Sequence, residues 1–205
     1  MSLLQAAEPR LVLASASVAR QALLAASGLT FSTQPAHIDE DEIKRSGKAD
    51  GVSSLEVALL LAELKAERVT RRERDALVIG ADQLLVCGDR WFDKPVDAAD
   101  MRAHLQALRG KTHTLVTAMV LMRDGQRIWH HVSQPCLTMR SFSDQFIDEY
   151  IALDGTTALS SVGGYRLEGP GIHLFERIDG DHSAILGLPL LPLFGFLRQH
   201  GVLLD

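Results

Sequence analysis

Residues 53–83 read SSLEVALLLAELKAERVTRRERDALVIGADQ, and the fold class follows from this stretch. Ser53 and Glu56 have the spacing of a capping box, in which the two side chains satisfy free N–H groups at a helix start. Leu55, Leu59, Ala62, Ala66 and Val69 then recur near the 3.6-residue period, which predicts a helix over 54–72. Lys65 stands beside that apolar stripe, where a lysine ordinarily lays its stem on the core and keeps its ammonium in water. After a charged break, ALVIGA at 76–81 is an apolar run of the length of a buried strand. A helix feeding a buried strand is the repeating unit of an α/β protein.

Working outward, the same alternation continues. LVLAS at 11–15 reads as a short buried strand, and Ser17 caps a helix that ends at Gly28. Phe31–Pro35 is a second short strand. Residues 36–52 are polar and aperiodic, and are expected to form a loop. Leu84–Phe92 reads as a strand pair turning at Gly88-Asp89. Asp97 caps a helix that ends at Gly110. Lys111–Met122 and Arg127–Met139 are two long strands joined by the hairpin signal Asp124-Gly125. Ser143 starts a helix ending near Leu153, residues 154–171 are rich in small residues, Ile172–Ile178 is a strand, and a last helix follows Pro189. The long hairpin breaks the alternation, so the expected class is α/β with a mixed sheet in one domain.

The 205 residues are 46% hydrophobic and 23% charged, with a net charge of −5. That composition is globular rather than disordered. The acidic balance argues against a nucleic-acid polymer as partner, because such binding is driven by cations that displace counterions. No apolar run is long enough to cross a membrane. The start, MSLLQAAEPR, lacks the pattern of a secretion signal, and Cys87 and Cys136 lack metal spacing. Both cysteines are read as buried free thiols, and the cytoplasm as the location.

Common catalytic signatures are missing. Gly110-Lys111-Thr112 lacks the glycine a phosphate loop needs at position 105, where Leu105 stands. No dinucleotide-binding glycine pattern, nucleophile elbow or zinc-ligand spacing occurs. Scattered features remain. Ser15, Ser17 and Arg20 lie at a strand-to-helix turn suited to an anion, though on spacing alone an ordinary serine cap with a solvated arginine is the favoured explanation. Asp39, Glu40, Asp41 and Glu42 form an acidic run that is either solvated or shares a divalent cation. Asp82 follows an apolar strand, where a carboxylate needs a partner. Pro95 holds Lys94 in extended backbone. Glycines flank Tyr165, Arg166, Leu167 and Glu168, allowing close approach of a ligand. Together, carboxylates at Glu40, Asp82 and Glu168 with cations at Arg20, Lys65 and Lys94 suit metal-assisted hydrolysis of a phosphoanhydride.

The order of these segments resembles the Maf family, nucleoside triphosphate pyrophosphatases once described as septum-formation inhibitors. The carrying segments are LASASVARQALLAASGL, HIDEDEIK, LLAELKAERV, VIGADQLLV, DKPVDAADMRAHLQALRGKTHTLVTA, YRLEGPG and ERIDGDHSAILGLPL, spread over nearly the whole chain. The resemblance implies an elongated, twisted mixed sheet flanked by helices with a central cleft, similar to inosine triphosphate pyrophosphatases. It implies one Maf-like domain over residues 1–205, with two lobes around the cleft, and a homodimer as the assembly. The implied reaction splits a nucleoside triphosphate into monophosphate and pyrophosphate with Mg²⁺ or Mn²⁺, clearing non-standard nucleotides.

Carried over residue by residue, Ser15, Ser17, Arg20 and Lys65 match substrate-binding positions. Asp82 matches the aspartate assigned as general base, and Lys94 and Glu40 match further catalytic positions. Glu40, Asp82 and Glu168 form the implied metal set. Glu168 replaces a family glutamine and is similar to the branch acting on 7-methylguanosine triphosphate.

Three departures stand out. Val18-Ala19 replaces a proline and the first of two arginines, Gln83 replaces a threonine, and Ser161 replaces a lysine. Two phosphate-directed cations are therefore missing, which leaves open a different substrate, compensation by Arg166, or weak activity. The alternative function is a weakly active nucleotide-binding regulatory protein linked to cell division.

Overall fold

The computed structural model describes residues 4–204. One mixed sheet of eight strands is present among them: β1 (Leu11–Leu13), β2 (Phe31–Thr33), β3 (Leu77–Cys87), β4 (Arg90–Phe92), β5 (Thr112–Arg123), β6 (Gln126–Ser133), β7 (Cys136–Met139) and β8 (Phe175–Asp179), in the order β2-β1-β3-β5-β7-β8, with β4 paired to β3 and β6 to β5. The chain divides into two compact units. The first holds residues up to 82, 117–133 and from 182 onward; the second holds 83–116 and 134–181.

In the first unit, β1 (Leu11–Leu13) lies between β2 (Phe31–Thr33) and β3 (Leu77–Cys87), parallel to both. Parallel neighbours need crossovers. The helix α1 (Val18–Ala26) supplies the first, and α2 (Glu40–Ala49) and α3 (Ser54–Thr70) lie in the second. The cap at Ser17, the capping box of Ser53 and Glu56, and the left-handed Gly28 after α1 all stand as expected. Along β3, Leu77, Ile79 and Ala81 enter a core with Leu24 of α1 and with Phe196 and Leu197 of α7 (Leu190–Gln199). By the two-residue alternation of a strand, Val78, Gly80 and Asp82 face the other way. The C-terminal part of β5 (Thr112–Arg123) pairs with β6 (Gln126–Ser133) through Asp124 and Gly125, at φ 50° and 77°. Those positive angles match the twist of a two-residue hairpin.

In the second unit, the end of β3 pairs with β4 (Arg90–Phe92), and the start of β5 pairs with β7 (Cys136–Met139), which pairs with β8 (Phe175–Asp179). The helices α4 (Ala98–Leu108) and α5 (Asp144–Ala158) pack together and bury Met101, Leu105, Leu108 and Ile147. Arg109 to Asp144 at 2.7 Å and Arg102 to Asp148 tie them at the surface.

The structure corrects several readings. Residues 40–49 are helical rather than loop: Asp39 caps α2, and Glu40, Asp41 and Glu42 fill its first turn, where the helix dipole favours negative charge. Asp82 lies in the middle of β3, not beyond its end. Residues 127–139 are not one strand, because Gln134-Pro135 separates β6 from β7; proline has no N–H for a ladder. The helix from Ser143 runs on to Ala158. Residues 170–174 form a 3-10 turn before β8. Cys87 and Cys136 are free but half-buried rather than buried.

Candidate functional site

The first unit gathers six of the expected residues. Gly80 and Asp82 share a face of β3, and α3 lies directly on that face. A Cβ on Gly80 would stand 2.1 Å from the carbonyl oxygen of Ala62 and 2.8 Å from the Cβ of Ala66. Only a residue without a side chain permits that approach. It brings Lys65 over Asp82, with Nζ 2.6 Å from Oδ1. The same Nζ reaches Glu40 Oε1 at 2.7 Å, because α2 packs on α3 and carries Glu40 in its first turn. Lys65 does not snorkel: its side chain is 9% exposed and that of Asp82 5%, against 39% for Glu40. The second oxygen of Asp82 is buried and has no hydrogen-bond partner. A buried carboxylate oxygen without a partner is costly, which marks Oδ2 as the atom Asp82 can offer to a ligand.

Ser15, Ser17 and Arg20 adjoin this centre. The Ser17 hydroxyl accepts from the Arg20 N–H, and Ser15 Oγ accepts from the Ser17 N–H. Arg20 is buried: Nε donates to Gly187 O at 2.8 Å, and Nη1 donates to Ala81 O at 2.8 Å and to Ser15 Oγ at 3.3 Å. Burial draws its pKa below the ordinary value, while the carboxylates of Asp82 and Glu40 oppose that shift. Arg20 therefore braces β3 next to Asp82 as well as adding positive charge. No spacing in the sequence points to the Gly187 and Ala81 carbonyls that hold it.

The remaining three expected residues belong to the second unit. Lys94 is exposed and precedes the buried Pro95. The turn that carries Arg166 and Glu168 lies beside it, since Gly163 N–H donates to Asp93 O at 3.1 Å. Gly163 and Gly164 have φ near 75°, a left-handed backbone that bends the chain here. Arg166 Nη2 donates to Asp154 Oδ1 at 2.8 Å, and Nη1 lies 4.0 Å from Glu168 Oε1. The hydrogen bond to Asp154 holds the Arg166 pKa above its ordinary value. Asp154 is buried on α5, and no sequence motif pointed to it. The available signal was its position four residues after Tyr150, on the same helix face. Both Asp154 Oδ2 and Arg166 Nε are buried without partners.

Below this turn His113 and Tyr165 share a hydrogen bond of 2.7 Å, with the ring of Phe175 close to both. Burial pushes the His113 pKa down to about 4 and the Tyr165 pKa well up.

Among the described residues no three His, Cys, Asp or Glu side chains converge as a ready-made metal site. Glu40 and Asp82 are a two-carboxylate set. No described helix is long and apolar enough to cross a membrane.

Comparison with known proteins identifies the family. A family model described as Maf-like protein matches residues 10–200. A protein of Granulibacter bethesdensis named nucleoside triphosphate pyrophosphatase is 55% identical over 194 residues, covering 95% of this chain and 98% of its own. One of Rhodospirillum rubrum with the same name is 49% identical, covering 96% and 98%. One of Rhizobium meliloti named 7-methyl-GTP pyrophosphatase is also 49% identical, covering 96% and 98%. Matched by that family model over residues 10–200 and by relatives along almost their full length, this chain belongs to the Maf family.

Proposed function

We propose that this protein hydrolyses nucleoside triphosphates to the monophosphate and pyrophosphate, with a modified guanosine triphosphate among its substrates. The observation that carries the reading is the Lys65 centre: a lysine bound by two carboxylates, one of which keeps a buried, unpartnered oxygen. Asp82 Oδ2 is an acceptor for the proton of an attacking water. Water supplies the new oxygen, the phosphoanhydride bond breaks, and pyrophosphate leaves. Lys65 anchors the other oxygen of Asp82, so the base cannot rotate away from the reacting atoms. Arg20 adds positive charge at the start of α1, where N–H groups also favour an anion. Arg166 and Lys94 are the second unit's candidates for substrate contact. Glu168, with Arg166, is the candidate for reading the base, and relatives named 7-methyl-GTP pyrophosphatase support a modified guanine as that base.

A divalent metal fits the first unit. Magnesium is usually held by one or two carboxylates together with substrate phosphates, and Glu40 with the unpartnered Oδ2 of Asp82 is such a pair, base and ligand being alternative roles for that oxygen. When bound, the ion would neutralise phosphate oxygens as charge builds on them. The cytoplasm is the proposed location.

The test is pyrophosphate release from a panel of standard, inosine and 7-methylguanosine triphosphates, with Mg²⁺, Mn²⁺ or a chelator. Release from one or two members, lost with the chelator, is the expected result. Tight nucleotide binding without release would instead favour the regulatory reading, which the two missing cations motivate.

A further inference from the structure

Three consecutive residues of the second unit are each held by a different buried side chain from outside the turn. Gly164 O accepts from the Tyr150 hydroxyl at 3.3 Å. Tyr165 is bonded to His113 at 2.7 Å, and Arg166 to Asp154 at 2.8 Å. Tyr150 and Asp154 stand four apart on α5, so one helix face supplies two of the three ties. The segment between them is irregular, with two left-handed glycines, and its backbone ladder does not fix side chains as a strand would.

The third tie is the informative one. The Asp154 side chain is 6% exposed and that of Arg166 24%. A buried ion pair is a poor device for stability alone, because a well-packed apolar pair of similar size does as well or better. It does fix direction. An untied arginine on a loop samples many rotamers, and ordering it on binding costs affinity. Here the guanidinium is pinned through Nη2, while Nη1 lies on the side of the exposed Glu168. The neighbouring glycines leave it room: a Cβ at Gly169 would stand 3.1 Å from Nη2, and one at Gly171 would stand 2.4 Å from the Arg166 carbonyl oxygen.

We propose that Asp154 is a positioning residue: its carboxylate orders the Arg166 guanidinium in advance, so that Arg166 meets the nucleotide already oriented. The proposal rests on the reading of Arg166 as a substrate contact.

The test compares Asp154→Asn, Arg166→Met and the double variant on the best substrate of the panel, with thermal unfolding measured beside them. Asp154→Asn is expected to raise KM about tenfold and to leave kcat within about twofold, the pattern of lost ground-state binding. The double variant is expected to be no worse than Arg166→Met alone, because residues that act through one another are not additive. A purely structural Asp154 would lower the unfolding temperature and add its effect to that of Arg166→Met, which would overturn the proposal. If Arg166→Met raises KM and Asp154→Asn does not, the positioning role falls and the contact stands. If Arg166→Met leaves KM unchanged, the underlying reading falls with it. Should Asp154→Asn not fold, Arg166→Lys decides: it keeps the charge and loses the fork. A KM like that of Arg166→Met supports positioning, and a wild-type KM overturns it.

Discussion

Each unit sets one cation between two carboxylates, yet the two are built by opposite means. In the first, Lys65 lies between Glu40 and Asp82 at 2.7 and 2.6 Å, and all three ride on regular elements. In the second, Arg166 lies between Asp154 and Glu168 at 2.8 and 4.0 Å, on a turn with no regular backbone of its own. Where helix meets strand, periodicity places the side chains and packing sets the distances. Where the backbone is irregular, order has to be imposed from outside, and Tyr150, His113 and Asp154 impose it. On the proposed reading the two places do different work: a fixed base in the first, an oriented contact in the second.

The largest effect that would sharpen this contrast is on turnover. Asp82→Asn is expected to lower kcat by about 10²–10⁴-fold, the usual contribution of a positioned proton acceptor. Asp154→Asn is expected to act on KM. Steady-state pyrophosphate release separates the two, and a matching loss of kcat in both would break the contrast.

Next comes stability. Lys65→Met leaves Asp82 buried without its cation, which costs about 3–5 kcal/mol when a buried pair is broken from one side. Chemical denaturation should show that loss. Arg166→Met also strips a buried carboxylate, Asp154, of its cation, but the Arg166 side chain is 24% exposed against 9% for Lys65, so water reaches that pair and the cost should be smaller. An equal loss would mean that the two centres are equally buried in effect.

Acid gives the third test. The buried histidines of the described residues, His104 and His113, both belong to the second unit. Burial depresses both pKa values, that of His113 to about 4. The folded state therefore resists protonation that the unfolded chain accepts near pH 6.5. The stability from neutral His113 is complete above pH 6.5 and lost as pH falls towards 4, amounting to about 3 kcal/mol. Urea denaturation between pH 7.5 and 4 should show the fall, and His113→Gln should flatten it. A wild-type profile that is already flat over that range would remove the claim that His113 is held neutral.

Much of this was legible from the residues, and unevenly so. The Ser53–Glu56 capping box, the Gly28 stop and the Asp124-Gly125 hairpin are local, and local rules found them. α2 was missed because its only strong signals are an aspartate cap and an acidic first turn, and such a run of carboxylates reads equally as solvated loop. Asp82 was singled out, but its partner was not apparent, since Lys65 looks like any lysine flanking an apolar stripe. The Lys65–Asp82 contact depends on α3 settling onto Gly80, a distance no spacing rule contains. Asp154 was invisible for a related reason: its partner lies twelve residues on, across an irregular turn. The order of the motifs supplied the family, and three-dimensional packing supplied the bonds.

The bare face of Gly80 has a consequence for how this protein tolerates change. Position 80 acts as a spacer of zero thickness, and any larger residue lifts the helix above it and carries Lys65 away from Asp82. In a saturation library, residue 80 should score as intolerant as Asp82 while lying two residues from it. A map that equates intolerance with contact would draw the site around a residue with no functional group. Drift at this position is closed unless α3 shrinks in compensation, and Ala62 and Ala66 have almost nothing left to give up.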